Sequence, residues 1–291
     1  MIKELEFYSD GYKLKGNLYL PEGYNEEKPL PLILLCHGFA GVKELLLPNY
    51  ALKFAEKGYA AFTFDYRGFG GSEGLAGQII PEEQVRDIRN AITFISSQSE
   101  VDCNKIGLWG TSLGGANALI ASAVDDRVKA LSVQITFGDG ERNNTYNISK
   151  EDKEKRKLSL NKSLLAAATK NKVMKLPLKK ILSDTQSKKF FEEYSPLFPE
   201  ALKAKIPFIT TKYIDEWKPE NYFHRINIPV LVVGAKNDMV NRPEESKEIF
   251  NKLSTKKKKL LMVDSTHYDI YIDEDLDKVS CEQLKWYEEN L

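Results

Sequence analysis

Five consecutive residues carry the strongest chemical signal in this 291-residue chain: Gly110, Thr111, Ser112, Leu113 and Gly114, the pattern G-x-S-x-G. So short a pattern arises by chance, and its context decides. It follows the strand-like KIGLW and opens the small-residue helix LGGANALIASA, in which Gly115 extends the glycine run. A serine at a sharp strand-to-helix turn must adopt a strained backbone, and glycines two residues either side let neighbouring backbones come close. Such a turn lifts the hydroxyl off the sheet and leaves backbone N–H groups of the helix start near it. The competing reading is a serine that merely caps a helix. The flanking strand and helix favour a nucleophile.

A serine hydroxyl is a weak nucleophile at neutral pH and needs a base beside it. Only three histidines are present. His267, in DSTHYD, follows the strand KLLMVD and therefore stands at a carboxyl strand end. His37 closes the first buried strand, and His224 reads as a surface or structural residue. His267 is the expected base. A carboxylate must then fix the imidazole tautomer and stabilise the imidazolium. Asp238, in VLVVGAKNDMV, lies just past a buried strand and between Ser112 and His267, giving the order Ser…Asp…His. Asp264 and Asp269 are rivals, but both are so near His267 in sequence that reaching its far nitrogen would need a contorted loop. Acyl transfer also requires donors for a developing oxyanion. The backbone N–H of Leu113 comes with the elbow. The loop CHGFAGVKE, bent at Gly38 and Gly41, favours Phe39 N–H as the second, with an ordinary glycine turn as the alternative.

These residues need a scaffold, and the hydrophobic pattern supplies one. Residues 2–8 and 12–20 alternate as strands around the hairpin signal Asp10-Gly11. Leu32–Cys36 and Tyr59–Phe64 are continuous apolar runs, as in strands buried on both faces. Further strands are expected at Lys105–Trp109, Val128–Phe137, 228–235 and 259–264. Helices are expected at 44–57, from Pro81 through Ile95, at Leu113–Val124, 244–253 and about 275–290, with Gly58 ending the first. Alternating strands and helices with short connections predict an α/β fold: a mostly parallel sheet, an antiparallel N-terminal hairpin and helices on both faces.

Residues 139–222 break that rhythm. They are Lys-rich, contain helical stretches and are punctuated by Pro177, Pro196, Pro199, Pro207 and Pro219. Some 80 residues far exceeds the usual α/β connection. The expectation is a core of residues 1–138 and 223–291 with an inserted, mainly helical lid over the sheet's carboxyl edge, where open α/β sheets bind ligands. The lysines read as a solvated helical face, with attraction of an anionic substrate as the alternative. KKKK at 256–259 reads as a solvated turn.

Composition narrows the function classes. With 42% hydrophobic residues the chain can bury a sizeable core. Forty-two basic residues balance 42 acidic ones, which removes the global basicity expected of a nucleic-acid binder. No apolar run approaches the roughly 20 residues that cross a bilayer, and MIKELEFYSD lacks the apolar core of a signal peptide. Cys36, Cys103 and Cys281 are scattered, so neither a disulfide framework nor a metal site is expected. A cytoplasmic protein with no nucleic-acid or membrane partner is expected, and a homo-oligomer stays open.

HGF at 37–39, DYRGFGGS at 65–72, GTSLGG at 110–115, GAKND at 234–238 and the late His267 together resemble the α/β-hydrolase superfamily. More narrowly they are similar to its dienelactone-hydrolase-like, serine-aminopeptidase-like and X-Pro-dipeptidyl-peptidase-like branches. The resemblance covers residues 1–138 and 223–291 and not the intervening segment. It implies an α/β-hydrolase fold, a triad of Ser112, Asp238 and His267, an oxyanion hole from Phe39 and Leu113, and no metal or organic cofactor. It also implies a substrate that is a small ester, thioester or short peptide. Asp65 and Arg67 read as structural, bracketing a turn behind the site, with Tyr66 and Phe69 as candidates to line a pocket. The expected activity is serine hydrolysis of esters or thioesters. A serine peptidase and a non-catalytic binding protein on the same scaffold are the alternatives.

Overall fold

The computed structural model describes residues 1–25 and 28–291. Strands β1 (Ile2–Ser9) and β2 (Tyr12–Tyr19) form the opening hairpin. Asp10 and Gly11 both take positive φ, 49° and 85°, the backbone that a two-residue turn matched to strand twist demands. Then follow β3 (Leu30–Cys36), β4 (Ala60–Phe64), β5 (Val101–Thr111) and β6 (Val128–Gln134). A two-stranded ribbon, β7 (Lys175–Pro177) with β8 (Lys205–Pro207), stands apart from the main sheet. The strands β9 (Val230–Ala235) and β10 (Lys258–Val263) complete it. Its order is β1-β2-β4-β3-β5-β6-β9-β10. β2 meets both β1 and β4 antiparallel, and every pairing from β4 to β10 is parallel.

Side chains alternate across a strand, and β3 shows the consequence. Ile33 and Leu35 join a core with Tyr50, Phe54 and Trp286, under helices α1 (Leu47–Glu56) and, near the carboxyl terminus, Asp273–Glu288. Leu32 and Leu34 face the opposite core with Ile88, Ile92 and Leu119, under α2 (Pro81–Ile95) and α3 (Leu113–Val124). The α/β sheet is therefore covered on both faces.

Between β6 and β9 lie α4 (Gly140–Thr145), α5 (Lys150–Lys170), α6 (Leu178–Ile181), α7 (Thr185–Tyr194), α8 (Pro199–Leu202), α9 (Thr210–Glu216) and a 3₁₀ turn, Pro219–Arg225. The helix α5 starts where Ser149 accepts the Asp152 N–H and ends at Asn171 with φ 50°; only Leu160 and Ser163 on it are buried. After β9 come α10 (Pro243–Lys252) and α11, the carboxyl-terminal helix at Asp273–Glu288. No helix among the described residues is long and apolar enough to cross a membrane.

Boundaries differ from the sequence pattern at two instructive places. The strand expected to run to Phe137 ends at Gln134, because Ile135 takes φ 44°, outside the strand region. In KKKK, Lys258 and Lys259 already belong to β10. The Lys258 ammonium donates to the Phe250 and Leu253 carbonyls, both at 2.7 Å, and so closes the end of α10.

Candidate active site

Ser112 occupies the single residue between β5 and α3, with φ 52° and ψ −127°. Its N–H donates to Gln134 in β6 (3.1 Å), and its carbonyl accepts from Thr136 Oγ1 (2.6 Å) and from Gly115 N–H (3.0 Å). The strained Ile135 is what delivers Thr136 to that carbonyl. Gly114 brings the helix start against β3: a Cβ there would lie 2.2 Å from the Cys36 carbonyl oxygen and 2.3 Å from that of His37. Across the cleft, a Cβ on Gly38 would lie 3.0 Å from Ser112 Cβ. Gly110 and Gly115 are tight for the same reason, their Cβ positions standing 2.7 Å from the Gly114 oxygen and from Thr136 Cβ.

His267 and Asp238 arrive on loops after β10 and β9. His267 Nδ1 donates to Asp238 Oδ2 at 2.8 Å, in a nearly fully buried pair. The other carboxylate oxygen accepts the N–H groups of Val240 (2.7 Å) and Asn241 (2.8 Å), which fixes its orientation. A carboxylate only accepts, so Nδ1 carries the proton and Nε2 keeps a lone pair for a second partner. His267 and Ser112 line one cavity. The Ser112 hydroxyl itself takes a hydrogen bond from Asn241 Nδ2 (3.2 Å). The rival acids are engaged elsewhere: Asp264 accepts from Asn237 Nδ2 and Asp269 from Thr266 Oγ1. His224 sits in the 3₁₀ turn, exposed.

Phe39 lies in the loop after β3 and Leu113 at the first position of α3. Among the described residues, neither backbone N–H has a hydrogen-bond partner. The Phe39 loop is held in place by a positive φ at Ala40 (53°) and by Asp65, which accepts from Lys43 N–H (2.7 Å) and Gly71 N–H (3.0 Å). Burial raises the Asp65 pKa above the ordinary carboxylate range. Arg67 is bound by Asp87 and Asp10 and takes no part in the cleft. Tyr66 packs edge-on against His37, 4.5 Å between ring centres, one layer behind the site cavities.

Sequence reasoning missed the polar frame around the serine. Asn241 donates to Ser112 and to the Ile135 carbonyl (2.6 Å), while its oxygen accepts from Asn143 Nδ2 (2.9 Å). Its position three residues after Asp238 was the available signal, since an aspartate commonly caps the N–H groups two and three residues on. The sequence signalled nothing of Gln186 in α7. Its side chain donates to the Asn237 carbonyl (2.6 Å) and accepts from Met239 N–H (3.1 Å) and His267 N–H (3.4 Å), joining α7 to both loops.

Two chambers meet at Ser112. The smaller, about 90 Å³, is apolar and holds His267, Leu45, Leu178, Phe190 and Tyr268. The larger, about 420 Å³, holds Leu113, Asn143, Arg156, Lys180 and Asn241. Residues of the β6–β9 connection wall both.

A serine elbow on a mostly parallel sheet, with a histidine–aspartate pair on the loops after the last two strands, is the arrangement of an α/β hydrolase. More narrowly, the chain belongs to the X-Pro dipeptidyl-peptidase family, S15, whose family model matches residues 10–269. It is 38% identical over 94% of its own length and 94% of the other's to an uncharacterised 31.7 kDa protein of the traX-finO intergenic region in Escherichia coli. It is 41% identical, over 44% of this chain and 39% of the relative, to thiohydrolase aneE of Aspergillus aculeatus. The crystal structure of the α/β hydrolase GrgF from Penicillium sp. sh18 has the same fold, with a TM-score of 0.83 at 22% identity over 99% of this chain and 98% of that one.

Proposed function

We propose that this protein is a serine hydrolase cleaving carboxylic esters or thioesters through an acyl-enzyme, with Ser112 as nucleophile, His267 as base and Asp238 as its orienting carboxylate. The observation that carries this reading is the 2.8 Å His267–Asp238 hydrogen bond facing the cavity that Ser112 also lines. Ser112 Oγ attacks the carbonyl carbon while its proton passes to His267 Nε2. The oxyanion is met by the N–H groups of Phe39 and Leu113. Collapse expels the alkoxide or thiolate, which takes the proton back from His267. Water then attacks the acyl-enzyme, His267 accepts its proton and returns it to Ser112, and the acid departs. Residues 139–222 act as the lid, in keeping with their share of both chamber walls. The thiohydrolase relative supports the thioester side of the proposal. The free thiols of Cys36, Cys103 and Cys281 fit a reducing cytoplasm.

A peptidase needs a carboxylate free to hold a substrate ammonium. Asp184, the carboxylate on the larger chamber's wall, accepts from Ser187 N–H (2.9 Å) and Ser187 Oγ (2.5 Å), both neutral donors, and keeps its charge for such an ammonium, so the peptidase reading is tested beside the ester one. The test compares p-nitrophenyl acyl esters with aminoacyl p-nitroanilides, alongside fluorophosphonate labelling. Esters are turned over faster, Ser112 is labelled stoichiometrically, and Ser112→Ala lowers kcat/KM by about 10⁴-fold or more. An unlabelled, folded protein ends the proposal.

A further inference from the structure

We infer that the two chambers divide the substrate: the acyl part fills the larger, more polar one and the leaving group the smaller, apolar one. The preferred substrate is then the ester or thioester of a bulky acid, carried on a slender apolar alcohol or thiol. This rests on the serine-hydrolase reading and adds the direction in which substrate lies.

Direction follows from the imidazole. One nitrogen of His267 must hand a proton to the departing atom and then take one from the incoming nucleophile, so both groups stand on its side of Ser112. Of the two chambers, His267 lines only the small one and Leu113 only the large one, while Phe39, the other proposed oxyanion donor, lines both. Volume agrees. The chamber beside His267, at about 90 Å³, is the narrower of the two. At 420 Å³ the other chamber falls within the usual ligand-pocket range of about 300–1,000 Å³.

Three charged side chains line the large chamber: Arg156, Lys180 and Asp184. Asp215 pairs the Arg156 guanidinium, and Asp184 accepts only the neutral N–H and hydroxyl donors of Ser187, so it keeps a charge opposite in sign to that of Lys180. The wall therefore selects no sign of charge, and size and the side on which His267 stands carry the assignment.

Two thioesters, followed by thiol release, test the assignment: the mono-S-ethyl thioester of terephthalic acid and S-(2-naphthyl) thioacetate. The terephthalate thioester is expected to exceed the naphthyl thioacetate in kcat/KM by about tenfold or more, although naphthalenethiolate is the better leaving group. Preference for the naphthyl thioacetate reverses the assignment. Fluorophosphonate labelling run in parallel separates the two levels. Labelled Ser112 with reversed preference overturns the division of chambers alone, while absence of labelling overturns the hydrolase proposal beneath it.

Discussion

His37 stands beside the glycine that makes room for Ser112, and its ring is almost wholly buried. Nδ1–H donates to the Gly38 carbonyl (3.0 Å), while Nε2 is buried with no hydrogen-bond partner among the described residues. Burial lowers its pKa from 6.5 to about 4, so the folded protein holds it neutral. The sign of the linkage follows. Above pH 6.5 both folded and unfolded chains are deprotonated and the full stability is present. As pH falls from 6.5 toward 4 the unfolded chain gains a proton that the native one refuses, a loss of roughly 3 kcal/mol over that window. Urea unfolding at pH 7.5 and 4.5 is expected to show a smaller loss for His37→Gln than for the unsubstituted protein; equal losses would contradict it. At this scale the elbow serine was legible because its signal is local, glycines and strand and helix within ten residues. Asn241 was not, because its contact with Ser112 spans 129 positions.

Among the elements, the closest approach is that of α3 to β3. Gly114 lets the helix start rest on the carbonyls of Cys36 and His37, both backbone atoms that cannot rotate away. Gly114→Ala is therefore expected to destabilise by about 3 kcal/mol, at the upper end of overpacking costs, as read from the urea midpoint. It should also lower fluorophosphonate labelling, since α3 carries Ser112 and Leu113 with it. Periodicity made α2 legible, with Pro81 marking its first residue, and the run of small residues after the elbow marked α3. The end of β6 was hidden, because the residues after Gln134 continue apolar while Ile135 turns to reach Asn241. Equally hidden was the seat of α7. Phe190 stacks on Tyr268 at 4.3 Å and Ser187 Oγ meets the Tyr268 hydroxyl at 2.9 Å, pairings about eighty residues apart in the chain.

Taken whole, the molecule ties the ends of the β6–β9 connection to its core through one buried carboxylate. Glu245, fully buried in α10, accepts from Arg142 Nε (2.6 Å) and Nη2 (2.7 Å) and from Gly138 N–H (3.0 Å). Arg142 also reaches Glu220 (2.8 Å) in the returning 3₁₀ turn. Removing the guanidinium strands a charge in the interior, so Arg142→Met should cost about 3 kcal/mol, and Arg142→Met with Glu245→Leu should recover much of it. Urea midpoints of the three proteins check this, and an unrestored double variant would count against it. By itself the sequence determined the α/β alternation, the direction of the sheet and the elbow, since each is recorded in spacings shorter than a helix or a strand. The pairing of His267 with Asp238 was legible too, in chain order and strand-end position, whereas tertiary structure alone decided that Asn241 holds the serine hydroxyl and that two unequal chambers meet there. Those outcomes depend on packing among segments separated by tens to hundreds of residues, and no local pattern carries that information.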